Sequence, residues 1–127
     1  WRLIIMKKYY STKIVELGAM VDAFRMDGMI IMFNENAPEE LRDYCALHKG
    51  NELTDIVTAG DIVQVGDGMY TIVYVGEQVQ KNLKDLGHIC LRFNGNQDNE
   101  SMEGSIYLEK DDILPFVVND EIAFYKP

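Results

Sequence analysis

The chain contains two histidines, His48 and His88, and imidazole is the side chain whose unperturbed pKa lies closest to neutral pH. Proton transfer or nucleophilic attack at pH 7 would most economically use one of them. His48 stands in the run Tyr44-Cys45-Ala46-Leu47-His48-Lys49-Gly50. At helical spacing it shares a stripe with Leu41, Tyr44 and Cys45, which reads either as a partly buried histidine closing a helix or as a reactive group facing a glycine-containing loop. A helix C-terminus favours a cation over a phosphate, so a phosphate-handling role there would need donors from elsewhere. His88 stands in Gly87-His88-Ile89-Cys90-Leu91-Arg92-Phe93. Strand alternation would send Ile89, Leu91 and Phe93 to the core and His88, Cys90 and Arg92 to the opposite face. A histidine and an arginine on one strand face can hold a phosphoryl group between them, the guanidinium offering a fork of donors. A plain solvated strand face is the simpler alternative.

Cys45-x-x-His48 and His88-x-Cys90 together form a Cys2His2 set that could close a zinc tetrahedron. The spacings lack the paired knuckle signature, so the set competes weakly with two reduced thiols and two independent histidines. No glycine-rich phosphate loop, Gly-x-Ser-x-Gly elbow, His-Glu-x-x-His or dinucleotide fingerprint occurs. Nucleotide hydrolysis, serine hydrolysis and nicotinamide chemistry are therefore unsupported, and no cofactor or metal is expected.

The elements that must position these residues read mainly as strands. Apolar residues come in short period-two runs punctuated by Gly, Asn and Asp. Strands are expected over Tyr9–Leu17, Met29–Phe33, His88–Phe93, Gly104–Leu108 and Glu121–Tyr125. The runs Asp61–Val65 and Met69–Val75, joined by Gly66-Asp67-Gly68, read as a hairpin. Met29–Phe33 is a continuous apolar run suited to burial on both faces. Asn36–Leu47 reads as a short helix, with a capping Asn, an early Pro and acidic residues in the first turn. Glu77–Leu86 reads as a second helix, with Val79, Leu83 and Leu86 on one face and Gly87 as terminator. Asn94–Ser101 is polar and turn-prone, a loop. The sum is a mainly β, small closed Greek-key-like β-barrel of about six or seven strands with two short helices.

The 127 residues suit a single domain, 1–127. Met6-Lys7-Lys8 would serve as naturally for a chain start as Trp1, so residues 1–5 read as an upstream extension. Twelve Lys and Arg against 21 Asp and Glu leave a net charge of −9. That is the wrong sign for a nucleic-acid or anionic-lipid surface and the right one for a basic protein partner. Two cysteines are too few for a disulfide framework, and no stretch approaches the roughly 20 apolar residues of a membrane span. The chain reads as intracellular.

Two stretches taken together resemble the IIA component of the glucitol/sorbitol-specific phosphotransferase system. They are Ala37-Pro38-Glu39-Glu40-Leu41 through Asp43-Tyr44-Cys45-Ala46-Leu47-His48, and Tyr74-Val75-Gly76 through Asn82-Leu83-Lys84-Asp85-Leu86-Gly87-His88-Ile89-Cys90-Leu91-Arg92-Phe93-Asn94-Gly95. The likeness runs from about Tyr10 to about Leu108 and is weaker from Asp111 onward, where a structural role is expected. It implies a cytoplasmic phosphocarrier that takes a phosphoryl group from the phosphohistidine of HPr and passes it to the IIB unit of a IIB/IIC sugar permease. The histidine after the Tyr-Cys pair, His48 here, would be the nucleophile. His88 matches the family's Gly-His pair, and with Arg92 it is expected to support the phosphoryl group or orient the nucleophile. HPr's docking face is basic, consistent with the negative charge of this chain. A non-catalytic β-barrel interaction or regulatory domain is the competing class.

Overall fold

Alternation along Lys7–Leu17 turns Tyr10, Thr12 and Ile14 inward to form β1 of the computed structural model, which describes residues 6–95, 102–109 and 111–127. There follow α1 (Val21–Met26), β2 (Met29–Asn34), a 3₁₀ helix (Glu39–Tyr44), β3 (Ala46–His48), β4 (Ile62–Val65) and β5 (Gly68–Val75). The chain continues through α2 (Val79–Leu86), β6 (Ile89–Arg92), β7 (Ser105–Leu108) and β8 (Glu121–Lys126). The strands pair in the order β1-β3-β2-β6-β7-β5-β4-β8, and β8 pairs back onto β1, closing the ring. Closure gives each strand a neighbour on both sides and leaves no edge to template aggregation.

The pairings are antiparallel except β2 with β3 and β6 with β7, which run parallel. Each parallel pair is joined by a segment, 35–45 or 93–104, of the length such a crossover needs, about a dozen residues. Inside the ring, Tyr10, Ile14, Met32, Val63, Ile72, Leu91, Ile106 and Phe124 belong to one apolar core. A second cluster, Phe33, Ala37, Cys45 and Leu47, packs with Val15 and Ile31. β2 thus contributes Met32 to one core and Phe33 to the other, as its continuous apolar run implied.

The strand expectations hold, with bounds shifted by one or two residues. The described residues contain eight strands and three helices, against about six or seven strands and two helices expected. The extra strand comes out of the first expected helix. Asn36–Leu47 is helical only over Glu39–Tyr44, as a 3₁₀ turn with no buried residue, and Cys45 is already extended. A helix without an apolar face gains nothing from packing, whereas Ala46 and Leu47 are fully buried once laid between β1 and β2. Tertiary burial therefore overrides a good set of N-terminal helix signals. α1 was not expected, because no side chain caps it and it is six residues long.

The second helix ends as expected at Gly87, whose φ of 61° and ψ of 21° place it in the left-handed region. Val79 and Leu83 are buried, but Leu86, expected on the same face, is exposed. In the C-terminal segment Ile113 and Phe116 are buried in the main core. Of the expected loop Asn94–Ser101, Asn94 and Gly95 lie outside any strand, and Asn96–Ser101 are outside the described residues, as are residues 1–5. No helix among the described residues is long and apolar enough to cross a membrane.

Candidate functional site

His48 is the last residue of β3, paired with Ile14 of β1 on one side and Asn34 of β2 on the other. It is therefore not at a helix C-terminus, and the objection that a helix dipole would repel phosphate there does not arise. Its side chain has no solvent exposure. Both ring nitrogens are engaged: Nε2 lies 2.8 Å from the Gly87 carbonyl, and Nδ1 lies 3.0 Å from both Thr12 Oγ1 and the Gly50 nitrogen. A carbonyl only accepts and a backbone N–H only donates, so the neutral ring carries its proton on Nε2 and presents a lone pair at Nδ1. Burial holds the imidazole below its ordinary pKa, opposed in part by the Gly87 carbonyl, so the ring is neutral at pH 7.

Two glycines make this arrangement geometrically feasible. At Gly87 a Cβ would fall 2.7 Å from Cε1 and 2.9 Å from Nε2 of His48, and the φ of +61° is itself unfavourable for other residues. Its carbonyl reaches the ring because there is no side chain in between. Gly50, at φ +74°, turns the chain immediately after β3 so that its N–H points back at Nδ1 and at Thr12 Oγ1, 3.1 Å away.

Thr12 is 4% exposed and sits between Tyr10 and Ile14 on the inward face of β1. Because Oγ1 already accepts the Gly50 N–H, its hydroxyl proton is available to donate to Nδ1. On the outer side, Thr12 and Gly50 line a surface basin together with Ser11, Lys13, Lys49 and Asn51. Its lining includes two lysines, and the Glu121 carboxylate stands beside it, accepting from Ser11 Oγ and paired across the sheet with Lys13. Thr12 was not among the site residues expected from the sequence. The available signal was a hydroxyl interrupting an otherwise apolar inward stripe.

The two expected supporting residues are placed differently. His88 follows Gly87, so its backbone brings the site's carbonyl to His48 while its own side chain turns to the second core. There its Nδ1 donates to the Met32 carbonyl at 3.1 Å, and the ring packs on Phe33 at 4.4 Å between centroids. The alternation expected for the strand holds, with Ile89, Leu91 and Phe93 buried and His88, Cys90 and Arg92 partly exposed.

Arg92 lies far from His48. It pairs with Met29, at the opposite end of β2 from Asn34, the partner of His48. Five positions along a strand separate these ends by roughly 16 Å. The guanidinium donates instead to Ser105 Oγ at 3.0 Å and approaches Met102 Sδ at 2.9 Å. It cannot touch a group bound to His48. The broad concavity that Arg92 does line also carries Asp27, Asp111 and Asp112, and it holds neither histidine.

The Cys2His2 set does not converge. Among the described residues no three His, Cys, Asp or Glu side chains are grouped to hold a metal ion. Burial pushes both the Cys45 and Cys90 thiols up, away from the thiolate form that binds metals.

A family model described as PTS system glucitol/sorbitol-specific IIA component matches residues 9–123. Two curated relatives, each named PTS system glucitol/sorbitol-specific EIIA component, come from Shigella flexneri and Escherichia coli strain K12. Each is 35% identical over 109 residues, covering 84% of this chain and 88% of the relative. Among solved structures, that of a PTS system IIA component from Enterococcus faecalis V583 superposes with a TM-score of 0.78 at 25% identity. The alignment covers 88% of this chain and 96% of that one.

Proposed function

The chain belongs to the glucitol/sorbitol-specific IIA component family of the phosphotransferase system, and from that premise we propose that it is a cytoplasmic phosphocarrier with His48 as its phosphoryl acceptor. The observation that carries the reading is the state of the His48 ring. It is neutral, its tautomer is fixed by the Gly87 carbonyl, and hydrogen-bond donors converge on its unprotonated nitrogen. Those are the requirements of an imidazole nucleophile: a lone pair at physiological pH, and a partner for the N–H that becomes more acidic as positive charge develops on attack.

The donor is the phosphohistidine of HPr and the acceptor downstream is the IIB unit of a glucitol/sorbitol IIB/IIC permease. Transfer between two imidazoles exchanges one P–N bond for another, so positioning and electrostatics suffice and neither metal nor nucleotide is needed. The negative charge of the chain steers it toward a basic partner, an effect that added salt weakens. Because the ring is covered, transfer requires the turn at Lys49–Asn51 to move aside when the donor docks. His88 is a positioning residue in this scheme: its hydrogen bond to Met32 and its stacking on Phe33 anchor the strand start that carries the Gly87 carbonyl.

The full burial of His48 also favours a second reading, a non-catalytic interaction domain in which the histidine is a satisfied core residue. The two readings separate in one assay. Purified protein is incubated with phosphoenolpyruvate, enzyme I and HPr, followed by the IIB unit. A phosphocarrier gains the mass of one phosphoryl group in an acid-labile, base-stable linkage and loses it on adding IIB. A protein that stays unmodified while HPr is phosphorylated is an interaction domain.

A further inference from the structure

We propose that Nδ1 of His48 is the atom that takes the phosphoryl group, and that the Thr12 hydroxyl and the Gly50 N–H bind the phosphoryl oxygens. The inference rests on the reading of His48 as the acceptor and goes beyond it by assigning the nitrogen and adding a catalytic residue, Thr12.

The two sides of the ring are chemically opposite. Nε2 faces the Gly87 carbonyl at 2.8 Å, and the space behind that contact is so tight that even a Cβ on Gly87 would overlap the ring. A phosphoryl group on Nε2 would set its negative oxygens against a carbonyl oxygen and would need the α2–β6 junction to be rebuilt. Nδ1 faces two donors, Thr12 Oγ1 and the Gly50 nitrogen, each at 3.0 Å. Thr12 and Gly50 are among the residues lining the basin that Lys13 and Lys49 also line, two cations that suit a phosphoryl group. The covering group on this side is a glycine turn with a positive φ and no side chain, a backbone that can shift enough to admit the phosphorus while keeping its N–H beside Nδ1.

The step balances as follows. The Nδ1 lone pair forms the new N–P bond while the P–N bond of the donor phosphoimidazole breaks, its electron pair returning to the donor nitrogen. The His48 ring keeps its proton on Nε2 and acquires positive charge, which the Gly87 carbonyl accepts through a hydrogen bond that becomes charge-assisted. The donors that occupied the lone pair before attack, Thr12 O–H and Gly50 N–H, lie beside the new bond and turn to the phosphoryl oxygens. Return transfer runs the same path in reverse.

Two measurements test this. Ring ¹⁵N NMR of the unmodified protein should report the Nε2–H tautomer of His48, and of the phosphorylated protein, phosphorus bonded to Nδ1. Phosphorus on Nε2 would overturn the inference while leaving His48 as acceptor. No labelling of the wild type beside phosphorylated HPr would instead remove the underlying reading. For the residue assignment, Thr12→Val keeps the shape and removes the hydroxyl. It should slow phosphoryl uptake about 10²-fold, the usual effect of losing one oxyanion donor, and Thr12→Ser should restore most of the rate. Uptake by folded Thr12→Val at the wild-type rate would remove Thr12 from the chemistry. If that variant fails to fold, the isomer assignment on wild-type protein still decides the nitrogen.

Discussion

Two of the polar clusters buried among the described residues are built on opposite electrostatic plans. Around Asp61, the carboxylate Oδ2 takes Lys126 Nζ at 2.7 Å, the Tyr9 hydroxyl at 2.8 Å and the Thr58 N–H at 3.0 Å. Lys126 also lies 5.1 Å from the Tyr9 ring centroid. Burial and the neighbouring Asp61 push the Tyr9 phenol far above its ordinary pKa, so it stays a donor. Around His48 there is no formal charge. A neutral ring is held by one acceptor and two donors, all of them backbone groups or a hydroxyl. The first cluster matches charge with charge and ties strand β8 to the 58–61 turn. The second keeps a lone pair neutral and close to a surface basin. Buried polarity ties strands together where charges are cancelled, whereas an imidazole kept uncharged with donors aimed at its lone pair meets the requirements of the proposed nucleophile.

The largest expected effect breaks the first cluster and spares the second. Asp61→Ala takes the carboxylate from an ammonium that keeps the Ile56 carbonyl and Thr58 Oγ1 as acceptors and leaves the buried Tyr9 phenol without its acceptor, a loss of about 2–3 kcal/mol, read from the urea midpoint. Phosphoryl uptake per folded molecule should not change, and a matching fall in uptake would show the clusters to be coupled. Gly87→Ala does the reverse. The left-handed backbone costs about 1–2 kcal/mol, and the added methyl displaces the imidazole, so uptake should drop by more than about tenfold, since misplacement by an ångström can cost that much or more.

A smaller effect separates the clusters by pH. Burial holds folded His48 below its ordinary value of 6.5. Below that pH the unfolded chain binds more protons than the folded one, so the stability present above 6.5 is lost as pH falls toward the folded value. His48→Gln keeps a donor for the Gly87 carbonyl but cannot titrate. The wild type should lose more stability than His48→Gln between pH 7.5 and 5.5, and parallel midpoints would show that the ring is not held neutral. Smallest of all is Arg92→Ala. It removes a part-exposed hydrogen bond to Ser105, worth about 1 kcal/mol, and should leave the uptake rate within about twofold, because the guanidinium is at the wrong end of β2.

What was legible in the sequence was local. The β4–β5 hairpin follows from two β-rich runs around Gly66-Asp67, and α2 from one apolar face and a terminating glycine. The inward face of β6 follows from alternation alone. His48 itself was legible as one of two neutral-pH nucleophiles, but its surroundings were not. Thr12 is 36 residues away and Gly87 is 39, and no local rule brings them together. Register decides it, since β3 is three residues long and lies between β1 and β2. The same long-range closure converted the end of an expected helix into β3 and put Arg92 out of reach. Ala46–His48 fill a gap in the ring better than Ala46 and Leu47 could serve a helix with no buried face.

In the proposed reading His48, rather than His88, carries the phosphoryl group. The most direct test is to phosphorylate the wild-type protein through HPr and locate the modification by peptide mass spectrometry under alkaline conditions, with His48→Ala and His88→Ala in parallel. The expected result is label on the peptide containing His48, absent from His48→Ala and present, more slowly acquired, in His88→Ala. Label on His88, or label retained in His48→Ala, would show that His48 is not the acceptor.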